Sequence, residues 1–288
     1  MFGPNTTCEF LAVSKCHRDK AFFKIFRNCQ ELFKKVFNLE GYDILFIPGS
    51  GTVGVEALMY SLKSKVKVVG PEGTFKKRWE EMAREYNYRP GTFQQFGCRL
   101  ETSTSIFAGF NDEVIVDAIS SFPFVSIPEN CPAFVTCANK LLGSFPGLAI
   151  VGVKKDKWGL FRDANQMSYL NLARYKEFSD KAQTPSTAPT HLFEHLEGVL
   201  ENLDVERLRR KINTNSDTIV ECLGKENFKG STRGPVLTLS KHLIPPHLAE
   251  KYELYGINNP DSDNYQIFTY SEKAEDYLRF AQDLYQNG

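Results

Sequence analysis

The stretch that most limits what this chain can fold into is residues 42–70, "YDILFIPGSGTVGVEALMYSLKSKVKVVG". A short apolar run is broken by a glycine turn, followed by a helical pattern and then a second apolar run. Strand, tight turn, helix and strand in that order specify a βαβ unit, and a βαβ unit specifies a parallel sheet covered on its faces by helices. The pattern continues along the chain. "FKKRWEEMAREY" (75–86) reads as a helix. "EVIVDAIS" (113–120), "AFVTCA" (133–138) and "GLAIVGV" (147–153) read as further strands. Ahead of them, "KAFFKIFRNCQELFKKVFN" (20–38) sets Phe22, Phe23, Phe26, Leu32, Phe33 and Phe37 at helical spacing, an apolar stripe for the core or a dimer interface.

The texture changes after residue 154. Residues 168–190 are polar and loop-rich, 191–223 carry one long helical pattern, "GPVLTLS" (234–240) is a strand, and 271–286 form an amphipathic helix. The expected organisation is a large α/β domain over 1–165 with a mostly parallel sheet. Residues 166–288 are expected to form a linker and a small C-terminal α+β domain.

Composition excludes several classes. The 288 residues carry 35 basic and 35 acidic side chains, so there is no net field to recruit nucleic acid or an anionic membrane. No apolar run approaches membrane-spanning length, and the N-terminus has no signal-like apolar segment. Seven scattered cysteines with no CxxC pair argue against a disulfide framework or a zinc site, and for a reducing, cytoplasmic compartment. The five histidines form no ligand pair such as HExxH, so no metal is expected.

Three features carry chemistry. "GSGTVG" (49–54) follows a strand and opens a helix, so its amides and the hydroxyls of Ser50 and Thr52 form a phosphate cradle. It also matches GxGxxG, with Glu72 one βαβ unit downstream, which leaves a dinucleotide reading open at this point. Asp117 ends an apolar strand, where a carboxylate is costly to bury without a partner. Lys140 follows the next strand, in "CANKLLGSFPG" (137–147), and can meet Asp117 at the same sheet edge. Singly, a capping aspartate and a solvated lysine are the ordinary readings. Together with the cradle they match what pyridoxal phosphate needs: a carboxylate for the protonated ring nitrogen and a nucleophilic lysine.

The same segments resemble the class V aminotransferases of pyridoxal-phosphate fold type I. The nearest branch holds the 2-aminoethylphosphonate–pyruvate and alanine(serine)–glyoxylate transaminases. "GSGTVGVEAL" is similar to that family's phosphate loop, giving Ser50, Gly51 and Thr52 as phosphate ligands. "EGTFKKRW" resembles the segment whose aromatic residue stacks on the cofactor ring, giving Phe75, and "LETSTS" puts Thr102 near the ring. "VDAISSF" gives Asp117 as partner of the pyridine nitrogen. "CANKLLGSFPG" gives Lys140 as the Schiff-base lysine and Asn139 as a neighbour of the phosphate. "TPSTAPTH" resembles the segment that reaches the phosphate from the second subunit, giving Thr187, and "FGPNTT" resembles the N-terminal stretch at the mouth of the site.

The resemblance implies a homodimer with shared active sites, moving an amino group from a small amine to a 2-oxo acid such as pyruvate or glyoxylate. A lyase of the same fold, or a cofactor-binding relative without turnover, are the rival readings. The chain departs from the family in shortened stretches either side of Glu101 and in carrying Gln266 where the family places a carboxylate-gripping arginine. Arg18 and Arg233 are the candidate replacements.

Overall fold

The strands that the sequence sets between helices assemble into one six-stranded sheet. In the computed structural model, which describes residues 15–70, 73–86, 93–98, 114–129, 131–163, 167–259 and 262–287, the strands are β1 (Tyr42–Pro48), β2 (Lys65–Val69), β3 (Phe93–Cys98), β4 (Ile115–Asp117), β5 (Ala133–Cys137) and β6 (Leu148–Lys154). Their order is β1-β6-β5-β4-β3-β2. β6 runs antiparallel to both β1 and β5, while β2, β3, β4 and β5 pair in parallel. Five strands therefore point the same way, and all five end on the edge where β6 begins.

Side-chain alternation along the strands divides the core into two layers. Ile44, Phe46, Phe134 and Ile150 face helices α1 (Lys20–Phe37) and α5 (Thr190–Asn202). Leu45, Val135, Val151 and Phe96 face α2 (Gly51–Ser61), α3 (Thr74–Tyr86) and α4 (Leu172–Ser179). The α1 stripe is core: Phe22, Phe26, Cys29 and Phe33 are buried. Phe22 and Phe26 meet Phe193 of α5 at ring-centroid distances of 5.2 and 5.5 Å. Asp19 caps α1 by accepting from the Ala21 amide at 2.9 Å, and Asn38, at φ 55°, ends it in the left-handed region.

A second, smaller compact unit begins at Asp204; the larger ends at Leu203. The smaller holds α6 (Val205–Leu223), α7 (Pro246–Lys251), α8 (Ala274–Asn287) and an antiparallel pair, β7 (Val236–Ser240) with β8 (Asn264–Phe268). Its core is built on Ile219, Leu237, Leu239, Tyr277 and Phe280.

The structure departs from the sequence reading at several places. The unit boundary lies at 203/204 rather than 165/166, because α4 and α5 pack in the larger unit's core through Tyr175, Phe193 and Leu196. The polar stretch 168–190 contains α4, capped by Asn171, whose side chain accepts from the Ala173 and Arg174 amides. The pattern over 191–223 is two helices, with Asp204 capping the second by accepting from the Arg207 amide at 2.9 Å. The strand read over 113–120 narrows to Ile115–Asp117, since Ala118–Val125 turn on themselves through Phe122 N–H to Ala118 O and Val125 N–H to Ser121 O. Among the described residues no helix is long and apolar enough to cross a membrane.

Gly54 shows how tightly α2 sits on the sheet. A Cβ there would lie 2.6 Å from Val135 Cγ2 and 3.0 Å from Ala149 Cβ. In an open helix, Gly→Ala stabilises by about 1 kcal/mol. Here overpacking against two central strands costs about 1–3 kcal/mol. Gly54→Ala is therefore expected to lower the unfolding free energy in urea. A gain of about 1 kcal/mol would show that α2 can lift from the sheet without cost.

Candidate active site

Because the parallel strands end together, the residues that follow them meet along one edge. β1 delivers the 49–52 loop, β4 delivers Asp117, and β5 delivers Cys137, Asn139 and Lys140. At the β1 exit, Gly49 adopts φ 137°, and its N–H donates to Gly147 O at 2.8 Å. Ser50 is the extended N-cap of α2, exposed, and makes no side-chain capping bond. The first amides of α2 have no partner within the helix, and the helix dipole adds positive potential there. Gly51 brings the backbone close to Ile119: a Cβ there would lie 2.7 Å from Ile119 Cδ1, and that side chain would have to shift. That contact also sets the start of α2 beside the residue two positions beyond Asp117.

Asp117 is 6% exposed. Its Oδ2 accepts from Trp79 Nε1 at 2.8 Å, and its Oδ1 accepts from the Ile119 amide at 3.0 Å. Trp79 is itself buried on α3, one turn after Phe75, and the two rings lie 5.9 Å apart at 32°. Phe75 is 38% exposed, so part of its side chain at the start of α3 stays accessible beside the buried indole. The guanidinium of Arg78 lies 5.8 Å from the same ring.

Lys140 and Asn139 are half-buried on the turn between β5 and β6. Lys140 O accepts from Gly143 N–H at 3.0 Å. Electrostatics ties this turn to Asp117. Burial pushes the Cys137 thiol up to about 11, the Asp117 carboxylate adds to the rise, and the Asn139 and Lys140 amides with the Lys140 ammonium oppose it. One sulfur thus feels both the carboxylate and the ammonium.

The remaining expected residues are not gathered at this edge by any contact the structure records. Thr187 is exposed and lines a cleft with Met167, Tyr169, Arg174 and Ser186. Arg18 is exposed, donates to Gln183 Oε1 at 2.7 Å, and lies 5.6 Å from the Phe178 ring. Arg233 and Gln266 belong to the smaller unit. The Arg233 guanidinium makes a fork with Asp217, at 2.8 and 2.7 Å, and this bond raises its already high pKa. Gln266 lies on β8 opposite Thr238. Thr102, Glu72 and the 2–7 stretch lie outside the described residues. Among the described residues no three His, Cys, Asp or Glu side chains converge as metal ligands do.

Sequence reasoning gave no role to Trp79. The available signal was chemical: a tryptophan on the buried side of an amphipathic helix must place its N–H. Trp79→Phe and Asp117→Ala are expected to couple by about 1.5–3 kcal/mol in a double-mutant cycle read by urea unfolding, as a hydrogen bond to a buried carboxylate should. Coupling near zero would mean the indole does not hold the carboxylate.

No family model matches the chain. Among curated proteins it is 26% identical over 209 residues to the small subunit of a soluble hydrogenase of Synechococcus sp. (strain PCC 6716), covering 58% of this chain and 54% of that one. It is 26% identical over 254 residues to the soluble hydrogenase 42 kDa subunit of Anabaena cylindrica, covering 72% and 66%. The chain thus spans between about half and two thirds of the length of these relatives. Among solved structures it is similar to the subgroup IV aspartate aminotransferase from Thermus thermophilus, with a TM-score of 0.78 at 18% identity over 96% of this chain and 92% of that one. It is similar to the alanine–glyoxylate aminotransferase from Nostoc sp., with a TM-score of 0.78 at 16% identity over 99% and 94%. A phosphoserine aminotransferase from Cytophaga hutchinsonii ATCC 33406 gives 0.75 at 17% over 94% and 90%. At these identities the likeness is one of fold, and the fold is that of the pyridoxal-phosphate fold type I aminotransferases.

Proposed function

We propose that this protein is a pyridoxal-phosphate-dependent aminotransferase, cytoplasmic and homodimeric, that moves an amino group from a small amine or amino acid to a 2-oxo acid such as pyruvate or glyoxylate. The observation that carries the reading is the sheet edge on which the α2 amides, the buried Asp117 and the Lys140 turn stand together. A fold shared with aminotransferases supports it.

The donor set suits the cofactor part by part. Helix N-terminal amides at Gly51 and Thr52, with the Ser50 and Thr52 hydroxyls, suit a phosphate monoester. A carboxylate held by Trp79 and the Ile119 amide suits a protonated ring nitrogen. The partly exposed ring of Phe75 suits an aromatic partner. A dinucleotide would leave Asp117 and Lys140 without a task. Bound pyridoxal phosphate supplies an electron sink for the substrate's α-carbon.

The chain's own residues do the rest. Asp117 would face the ring nitrogen and favour its protonated form. Lys140 would be the residue that holds the cofactor through its side-chain amine and, once an incoming amine takes that place, would hold the proton from the substrate carbon. Asn139 and Thr102 would help to hold the group, and Thr187 of a second copy would complete the phosphate site. A donor with its anionic group set away from the amine, as in 2-aminoethylphosphonate, is favoured by the neutral Gln266 and by the engagement of Arg233 with Asp217.

The test is spectroscopic. Protein mixed with pyridoxal phosphate should absorb at about 410–430 nm, and borohydride should abolish the band and tag Lys140. A suitable amine donor should then convert the bound cofactor to pyridoxamine phosphate. A tag on another lysine would refute the site. A band that survives every donor would favour a lyase or a protein without turnover.

A further inference from the structure

The turn that carries Lys140 is gripped from behind by α5. Ser144, four residues beyond Lys140, is 3% exposed. A hydroxyl so buried needs a partner, and here it is His195 Nδ1 at 2.9 Å. The Phe145 ring lies against the same imidazole, with centroids 4.4 Å apart. One turn earlier on α5, Leu192 fills the place where a Gly147 Cβ would stand, 2.6 Å from its Cδ1. Leu192 and His195 are three apart, so they share one helix face.

α5 is itself anchored to the N-terminal elements, through Lys15–Glu194 at 2.6 Å and Asn28 to Glu197 at 2.8 Å. The turn's ends are fixed as well. Ala138 N–H donates to Leu148 O, Ser144 N–H to Ala138 O, and Gly49 N–H to Gly147 O, at 2.8–3.0 Å. Between these fixed points the path of residues 139–143, and with it the Cα of Lys140, depends on where Ser144 is held.

We propose that His195 is a positioning residue for Lys140, acting through Ser144 and Phe145 to fix the lysine's turn at the sheet edge. Burial holds the imidazole pKa below its usual value and favours the neutral ring. The serine hydroxyl can both donate and accept, so either neutral tautomer keeps the bond. The proposal rests on the aminotransferase reading, since it assigns Lys140 the covalent role.

Three variants test it: His195→Leu, which removes the ring nitrogens; His195→Asn, whose amide reaches close to the Nδ1 position; and Ser144→Ala, which removes the bond from the other side if His195→Leu does not fold. Two readouts are taken on each. Amide hydrogen exchange of the cofactor-free protein is expected to rise on the order of tenfold over 140–147 in His195→Leu and Ser144→Ala, with β1 and α1 unchanged. The rate at which the visible band forms with pyridoxal phosphate is expected to fall by a similar factor in the same two variants, since the lysine spends less time in the reactive geometry. His195→Asn should recover both to within about twofold.

Unchanged exchange, exchange raised alike in every element, or a rate equal to wild type would each overturn the proposal, as would failure of His195→Asn to recover either readout. A wild-type protein that forms no band would instead overturn the aminotransferase reading, and this proposal with it. A wild-type band that forms equally fast in the variants defeats the positioning role alone.

Discussion

A carboxylate sits at the buried end of a central strand, and the larger unit is arranged so that it can be there. Asp117 is enclosed on the α2–α3 side of the sheet, where an unpartnered charge would destabilise the fold by several kcal/mol. The indole of Trp79 and the amide of Ile119 meet it, and the ammonium of Lys140 acts on the same neighbourhood. Each partner needs a particular element. Trp79 needs α3 docked flat on the sheet. Ile119 needs β4 to stop after three residues. Lys140 needs β5 parallel to β4, so that both strands finish on one edge. Glycine at 51 then lets α2 start against Ile119. Fold and candidate site are thus one problem with one solution.

Much of this was readable from residue order. An apolar run followed by Gly-Ser-Gly and a helical pattern can hardly form anything but a strand, a turn and a helix. Asp117 and Lys140 stood out because polar groups at the ends of apolar strands ask for partners. What stayed hidden depended on distant neighbours or on weak local signals. β3 reads Phe-Gln-Gln-Phe-Gly-Cys, with no clean alternation, and is a strand because β2 and β4 flank it. α4 lies in a polar stretch, and its sign was the capping side chain of Asn171 rather than any apolar stripe. The bond from Trp79 to Asp117 spans 38 residues and that from Ser144 to His195 spans 51. No local pattern encodes either.

The parallel with solved aminotransferases is one of backbone path, and the chemistry rests on side chains of this chain. In the smaller unit, Asp217 already occupies the fork of Arg233. That engagement points away from Arg233 as the residue that grips a substrate carboxylate.

The central claim is that Asp117 and Lys140 serve one bound group, with Asp117 keeping its ring nitrogen protonated. Loading the protein with pyridoxal phosphate labelled with nitrogen-15 in the ring, and reading that nitrogen's chemical shift by NMR, tests it most directly. The account predicts a protonated ring nitrogen at neutral pH in the wild type and an unprotonated one in Asp117→Asn. An unprotonated nitrogen in the wild type, or the same shift in both proteins, would contradict it.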